Sequence, residues 1–138
     1  MTGVTYKRLE YCDVGNITIE YPQNKLARFL EDETNYLFVG IKDDSAVAFA
    51  YGYGLSRPDG RRMFYIHSVD VKQEYQSNGI GTGLMKYILE YIIDEKKYYK
   101  FFVLTDPDNI KACKLYQKFA SPYEQVLFAE EITQDNIE

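Results

Sequence analysis

Tryptophan is absent, histidine occurs once, cysteine twice and proline four times in the 138 residues. One histidine excludes a metal centre built on imidazoles, and no metal site is expected. Cys12 and Cys113 lie far apart in the chain, with neither the spacing of a metal knuckle nor a disulfide framework. No apolar run approaches the roughly 18 residues that a membrane helix needs, and no leader pattern opens the chain, so a soluble, cytoplasmic protein is expected. A basic surplus is missing too. Lys and Arg number 16 against 21 Asp and Glu, for a formal net charge of −5. That balance argues against a nucleic-acid partner and is compatible with a cationic substrate. Internal repeats, linkers and low-complexity segments are absent, so one domain over residues 1–138 is expected.

What the chain does have is aromatic weight. Tyrosine occurs 14 times within a hydrophobic content of 46%, and such rings pack their bodies while the hydroxyl reaches a polar partner. A coarse pass reads a strand at "TYKRLE", a helix at "QNKLARFLEDE", and strands at "NYLFVGI" and "AVAFAYGYGL" joined by the hairpin turn "KDDS". The third strand of this meander is "RMFYIHSVDV". Strict alternation would put Tyr65, His67, Val69 and Val71 on one face and Phe64, Ile66, Ser68 and Asp70 on the other. A helix follows over 79–96, with Ile80, Leu84, Tyr87, Ile88, Tyr91 and Ile92 on one face. "FFVLT" is apolar throughout, as in a buried parallel strand. "IKACKLYQKFA" reads as a helix with Ala112, Leu115, Tyr116 and Phe119 inward, and a closing strand or hairpin is expected around "EQVLFAEEI". Strand 62–71, helix 79–96 and strand 100–105 make a right-handed crossover unit, and ligands bind beyond the carboxyl ends of such strands.

The stretch "YQSNGIGTGLM" stands at that end, with Gly79, Gly81 and Gly83 weakening the start of a good helix. Bare backbone amides at a helix N-terminus suit a phosphate; close helix packing would also call for glycine. The spacing fits neither the dinucleotide fingerprint nor the Walker loop.

The pattern present is Gln76-x-x-Gly79-x-Gly81. It resembles the pyrophosphate loop of the GCN5-related N-acetyltransferases, the GNAT superfamily. "HSVDVKQEYQSNGIGTGLMKYI" is similar to that family's strand, loop and helix, and "DNIKACKLYQKFA" to its downstream N-x-x-A-x-x-L-Y-x-K-x-G segment. Within the superfamily, "YIHSVDV" and "KLYQKFA" resemble the "YIYDLAV" and "ALYTKLG" segments of aminoglycoside 3-N-acetyltransferases of the gentamicin/fortimicin class. The family's strand aspartate falls at Ser68, and Ala120 stands where glycine is usual.

The resemblance implies an α/β fold: a mixed, mostly antiparallel sheet whose parallel central strands splay apart, flanked by helices. It implies acetyl-CoA as cosubstrate and a small-molecule amine, an aminoglycoside or polyamine, as acceptor. Another metabolite or protein amine, or a non-catalytic acetyl-CoA-sensing module, are the alternatives. A homodimer is compatible with it. By the same resemblance the pyrophosphate would lie on backbone amides across Gln76, Ser77, Asn78, Gly79, Ile80, Gly81 and Thr82, and the pantetheine arm would pair with Val69 and Val71 like an added strand. Asn109 would contact the cosubstrate, or else simply cap its helix. Tyr116 would be the general acid, and a backbone N–H near Val69 to Val71 the oxyanion donor. For the base, His67 leads because imidazole titrates near neutral pH; Asp70 and Glu74 follow. Two acidic clusters, Glu31-Asp32-Glu33 and Glu124 with Glu130 and Glu131, and the rings of Tyr51 and Tyr53 are candidates for holding a cation.

Overall fold

The structure is a computed structural model that describes residues 3–133. Five strands form one sheet in sequence order: β1 (Thr5–Arg8), β2 (Asn35–Lys42), β3 (Ser45–Ser56), β4 (Arg62–Val71) and β5 (Lys100–Val103). Helices α1 (Gln23–Glu31), α2 (Ile80–Glu95) and α3 (Ile110–Gln117) lie against it. The pairs β1–β2, β2–β3 and β3–β4 are antiparallel, and β4–β5 is parallel. This is the expected mixed sheet. No helix among the described residues is long and apolar enough to cross a membrane.

Each face of the sheet carries a core. On one, Ile80, Leu84, Met85, Ile88 and Ile92 of α2 pack on Tyr36, Phe38, Phe64 and Ile66. The i, i+4 spacing read from the sequence delivers these residues to a single stripe, and each fully buried Leu or Ile contributes about 2 kcal/mol. Tyr36 is buried there, and its hydroxyl is satisfied by Glu95 Oε1 at 2.6 Å and the Tyr98 hydroxyl at 2.8 Å. On the opposite face Leu9, Leu26, Leu37, Val39 and Ala46 form a smaller core beneath α1, flanked by Tyr21, Phe29, Phe49 and Tyr51.

Strict alternation along β4 fails at one point. Tyr51 pairs with Ser68 but Gly52 pairs with Ile66, so His67 is an extra residue on β4. Such a bulge shifts every later side chain to the other face. Val69 and Val71 therefore pack with Phe64 and Ile66 against the α2 core, not with Tyr65 and His67. Ser68 and Asp70 turn to the α1 face, where the Ser68 hydroxyl donates to Asp70 Oδ2 at 3.1 Å.

Gly52 makes the bulge sterically possible. A Cβ there would stand 2.5 Å from the Tyr65 carbonyl oxygen and 2.7 Å from the Phe64 ring. Backbone cannot yield as a flexible side chain does, so Gly52→Ala is expected to destabilise by about 1–3 kcal/mol, the cost of overpacking. Urea denaturation checks this as a lowered midpoint with an unchanged slope.

The closing strand expected around "EQVLFAEEI" is not formed. Residues 121–133 carry no helix or strand, and Val126, Leu127, Phe128 and Ile132 are exposed. β5 is itself shorter than read, ending at Val103. It is paired to β4 on one side only, and among the described residues no strand lies on its other edge.

Candidate active site at the splay of β4 and β5

Parallel pairing of β4 with β5 runs from Met63↔Lys100 to Ile66↔Val103 and stops. Beyond that point β4 continues to Val71 without β5 beside it. The bulge at His67 begins where the pairing ends, so the two strands diverge and leave the Val69 backbone facing the gap.

α3 closes the gap from the α2 side. Its Asn109 side chain accepts from the Ala112 N–H at 3.1 Å and caps the helix, so the capping reading of Asn109 is the contact seen. About two turns further along, Tyr116 is buried at 9% exposure among the α2 core residues. Its hydroxyl accepts from the Val69 N–H at 3.3 Å. The two groups singled out separately as general acid and oxyanion donor thus meet at the apex of the splay. Burial raises the Tyr116 pKa above the ordinary tyrosine value. The Val69 N–H opposes this and the nearby charge of Asp70 reinforces it. The phenol accordingly keeps its proton through neutral pH.

The glycine loop lies beside this apex. After a short 3-10 turn at Gln73–Tyr75, Ser77 and Gly79 take positive φ of 67° and 77°. Gly79 is the N-cap of α2, in the left-handed region that favours glycine, and no side chain caps the helix. The first N–H groups of α2 therefore lack intrahelical partners and point out with the positive end of the helix dipole. The Gln76 side chain donates to the Val71 carbonyl at 3.0 Å and fixes the loop on the end of β4. Asn78 makes a longer bond to the Tyr75 carbonyl, 3.4 Å. The three glycines divide their work. A Cβ at Gly79 would meet nothing, one at Gly81 would touch Val71 and Leu115, and one at Gly83 would collide with the Tyr6 ring. Gly83 serves packing, while Gly79 serves the bare loop.

Two lysines that the sequence reading passed over also reach this loop. Lys118 Nζ donates to Thr82 Oγ1 at 2.9 Å, and Lys111 Nζ approaches Gln76 Oε1 at 3.5 Å. Lys118 is the lysine of the "LYQK" segment, so its signal was in the motif; Lys111 gave none. Uncapped amides and two ammonium groups suit a bound pyrophosphate.

The α1 side of the splay is a shelf of rings. His67 is exposed and stacks on Tyr51 at 4.6 Å, and Tyr65 stacks on Phe102 at 4.9 Å. Tyr53 and Phe29 extend the shelf. No hydrogen bond orients either ring nitrogen of His67 among the described residues, whereas the Ser68 hydroxyl orients Asp70. Asp70 pairs across from Phe49, on which Tyr21 packs; burial first, then Tyr51, Asp70 and Glu20, raise the Tyr21 pKa. Asp32 holds the Thr34 N–H and hydroxyl in the turn before Asn35, which pairs with Tyr53 and donates to the Phe29 carbonyl. Glu33 lines a cavity of about 280 Å³ there with Arg8, Tyr36 and Lys97. Glu124, Glu130 and Glu131 lie on the exposed closing segment. Glu74 sits within the 3-10 turn ahead of the loop.

The family model described as Acetyltransferase (GNAT) family matches residues 6–120. Among solved structures, an aminoglycoside acetyltransferase from an uncultured soil metagenomic sample, in complex with trehalose, superposes with a TM-score of 0.81. It is 21% identical, over 96% of this chain and 97% of that one. The same enzyme in complex with sisomicin gives 0.79 at 20% identity, over 96% and 97%. Ribosomal-protein-alanine N-acetyltransferase from Brucella melitensis biovar Abortus 2308 gives 0.76 at 17% identity, over 94% and 99%. No curated protein matches the sequence.

Proposed function

The chain belongs to the acetyltransferase (GNAT) family and is an acyltransferase; from that premise we propose that it moves acetyl from acetyl-CoA to a primary amine of a small cationic molecule, an aminoglycoside or similar polyamine being the favoured class. The observation that carries this reading is the apex of the splay, where the buried Tyr116 hydroxyl meets the Val69 N–H beside the uncapped start of α2.

Acetyl-CoA supplies an acyl group on a thiol leaving group. The amides from Ser77 to Thr82, with Lys111 and Lys118, would hold its pyrophosphate. The Val71 carbonyl is engaged by Gln76 and the Val69 N–H by the Tyr116 hydroxyl, so a pantetheine arm lying along Val69 and Val71 would take the place of these contacts. Transfer forms one N–C bond and breaks one C–S bond. Asp70, directly or through water, takes the proton of the arriving ammonium; the Val69 N–H stabilises charge on the acyl oxygen; Tyr116 gives a proton to the departing sulfur and is reprotonated, directly or through water, by the second proton that the nitrogen sheds as the intermediate collapses. His67, stacked on Tyr51, lines the path of the acceptor. The rings of the shelf favour a cation over their faces, and Asp70 and Glu20 add charge. Aminoglycoside acceptance would use Asp70, on the Ser68 face of β4, in place of the aspartate missing at Ser68.

Thiol release from acetyl-CoA tests this reading against gentamicin, fortimicin, kanamycin, spermidine, free amino acids and a lysine peptide. Turnover on an aminoglycoside or spermidine supports the favoured class. Turnover only on the peptide or on amino acids moves the acceptor to a protein or metabolite amine. Binding of acetyl-CoA without turnover on any amine rejects catalysis on this panel and favours the sensing alternative.

One expectation isolates the lysine found at the loop. Lys118→Ala removes an ammonium from the pyrophosphate site, and an exposed charge pair is worth up to about 1 kcal/mol. The KM for acetyl-CoA is expected to rise about fivefold at low salt with kcat little changed, and the difference from wild type to shrink as salt screens the pair. An unchanged KM at low salt would remove Lys118 from the site.

A further inference from the structure

β1 ends at Arg8, which pairs with Phe38, and the next residue, Leu9, gives its N–H to the Leu37 carbonyl at 2.7 Å. Asn35 and Tyr36, at the start of β2, have no β1 residue across from them. The cavity of about 280 Å³ lies at this vacated edge. Leu9, Leu30 and Tyr11 give it apolar wall, and Arg8, Lys97, Glu10 and Glu33 bring both signs of charge. The Arg8 guanidinium is held in place. Its Cζ stands 3.6 Å from the centroid of the Tyr36 ring, and Nη1 donates to the Tyr91 hydroxyl at 3.3 Å. Its other nitrogens make no hydrogen bond among the described residues, which leaves part of the fork for a carboxylate. Arg8 and Lys97 share one carboxylate, Glu95, at 3.9 and 3.5 Å, and the Tyr36 hydroxyl also donates to it. Positive charge is therefore in surplus around Glu95. Glu33 makes no ion pair among the described residues and stands more than 4.0 Å from both cations.

We propose that this cavity binds a free α-amino acid with an apolar side chain, as its zwitterion: the carboxylate on Arg8 with Lys97 beside it, the ammonium against Glu33, and the side chain over Leu9 and Leu30. Opposite charges that line one cavity without touching are the electrostatic complement of a zwitterion. The site is separate from the acetyl-transfer apex. Asn35 pairs with Tyr53 and Tyr53 with Tyr65, so the cavity's edge of β2 lies two strands from β4, about 10 Å across the sheet. Val69 lies further along β4 than Tyr65 by about 13 Å. Binding here does not depend on the acceptor proposed for the apex.

Titration calorimetry on the full chain, without acetyl-CoA so that no transfer occurs, tests the site with leucine and phenylalanine. At least one of them is expected to bind with a Kd of about 1 mM or tighter. Two analogues of the bound amino acid, its amide without the carboxylate and its N-acetyl derivative without the ammonium, are each expected to bind about tenfold more weakly or worse. Arg8→Lys keeps the charge but loses the planar fork, and should weaken binding about tenfold. Glu33→Gln should weaken it about fivefold. Glu33 is exposed, so this variant keeps the test independent of folding, which circular dichroism checks for both. Asp70→Asn, at the apex, should leave the affinity unchanged. Neither amino acid binding up to about 10 mM overturns the proposal. So does equal binding of either analogue, and so does an affinity that survives both Arg8→Lys and Glu33→Gln. An affinity lost in Asp70→Asn also overturns it, and places the amino acid at the acceptor shelf.

Discussion

Tyr116→Phe is expected to lower kcat about 100-fold or more, with thermal stability reduced by only about 1 kcal/mol. The ring keeps its place among the α2 core residues, and the loss to the fold is one hydrogen bond, the Val69 N–H to the hydroxyl at 3.3 Å, worth about 1 kcal/mol. The loss to catalysis is larger because a positioned proton donor contributes roughly 10²–10⁴ in rate, and 100-fold corresponds to about 2.7 kcal/mol of barrier. The pKa direction gives a second check. Burial and then the Asp70 charge hold the phenol above the ordinary tyrosine value, against the Val69 N–H. A raised pKa keeps the acid protonated to higher pH, so wild-type kcat should not fall on the alkaline side until above about pH 10. Steady-state kinetics from neutral to alkaline pH with a melting curve on each protein decide the matter. Near-normal kcat and a normal melt in the Tyr116→Phe enzyme would confine this side chain to packing.

Asp70→Asn is the second large effect, a fall in kcat/KM of about 100-fold with the fold intact. Asparagine fills the same space, and its side-chain oxygen still accepts from the Ser68 hydroxyl that stands 3.1 Å away. What disappears is the proton acceptor of the proposed mechanism and a negative charge felt at Tyr116. Because that charge raises the tyrosine pKa, its removal should move the alkaline fall of kcat to lower pH. That shift separates a carboxylate near Tyr116 from one that only binds acceptor. His67→Ala is the companion measurement. The ring stacks on Tyr51 and lacks an orienting hydrogen bond among the described residues, so its loss should act mainly on the acceptor KM. If His67→Ala instead lowers kcat about 100-fold while Asp70→Asn changes it less than about threefold, the imidazole is the base.

The loop was readable because its requirement is local. Positive φ at Gly79 and a start to α2 without a side-chain cap follow from residues adjacent in the chain, and Gln76-x-x-Gly79-x-Gly81 names them directly. Tyr116 was readable for a related reason: α3 repeats its buried face every turn, so the motif and the periodicity agree. The faces of β4 were not readable. Alternation is a local rule, but the bulge at His67 arises from pairing with β3, where Gly52 removes the Cβ that would strike Tyr65 and Phe64. Nothing within "RMFYIHSVDV" marks it. For Gly83 the sequence left loop and packing open, and the packing partner is the Tyr6 ring, remote in sequence.

The sequence by itself determined the order of elements, the amphipathic stripes, the exposed loop amides and the family resemblance, because each depends on neighbours within one or two turns of chain. Tertiary structure alone decided where β4 and β5 part, that Asp70 turns to the α1 face of β4 while Val69 and Val71 turn inward, and that Tyr116 meets the Val69 N–H. It also left the apolar closing segment off the sheet. These outcomes depend on strand register and on which backbone edges find partners, and register is set by pairs of segments that no single stretch of sequence contains.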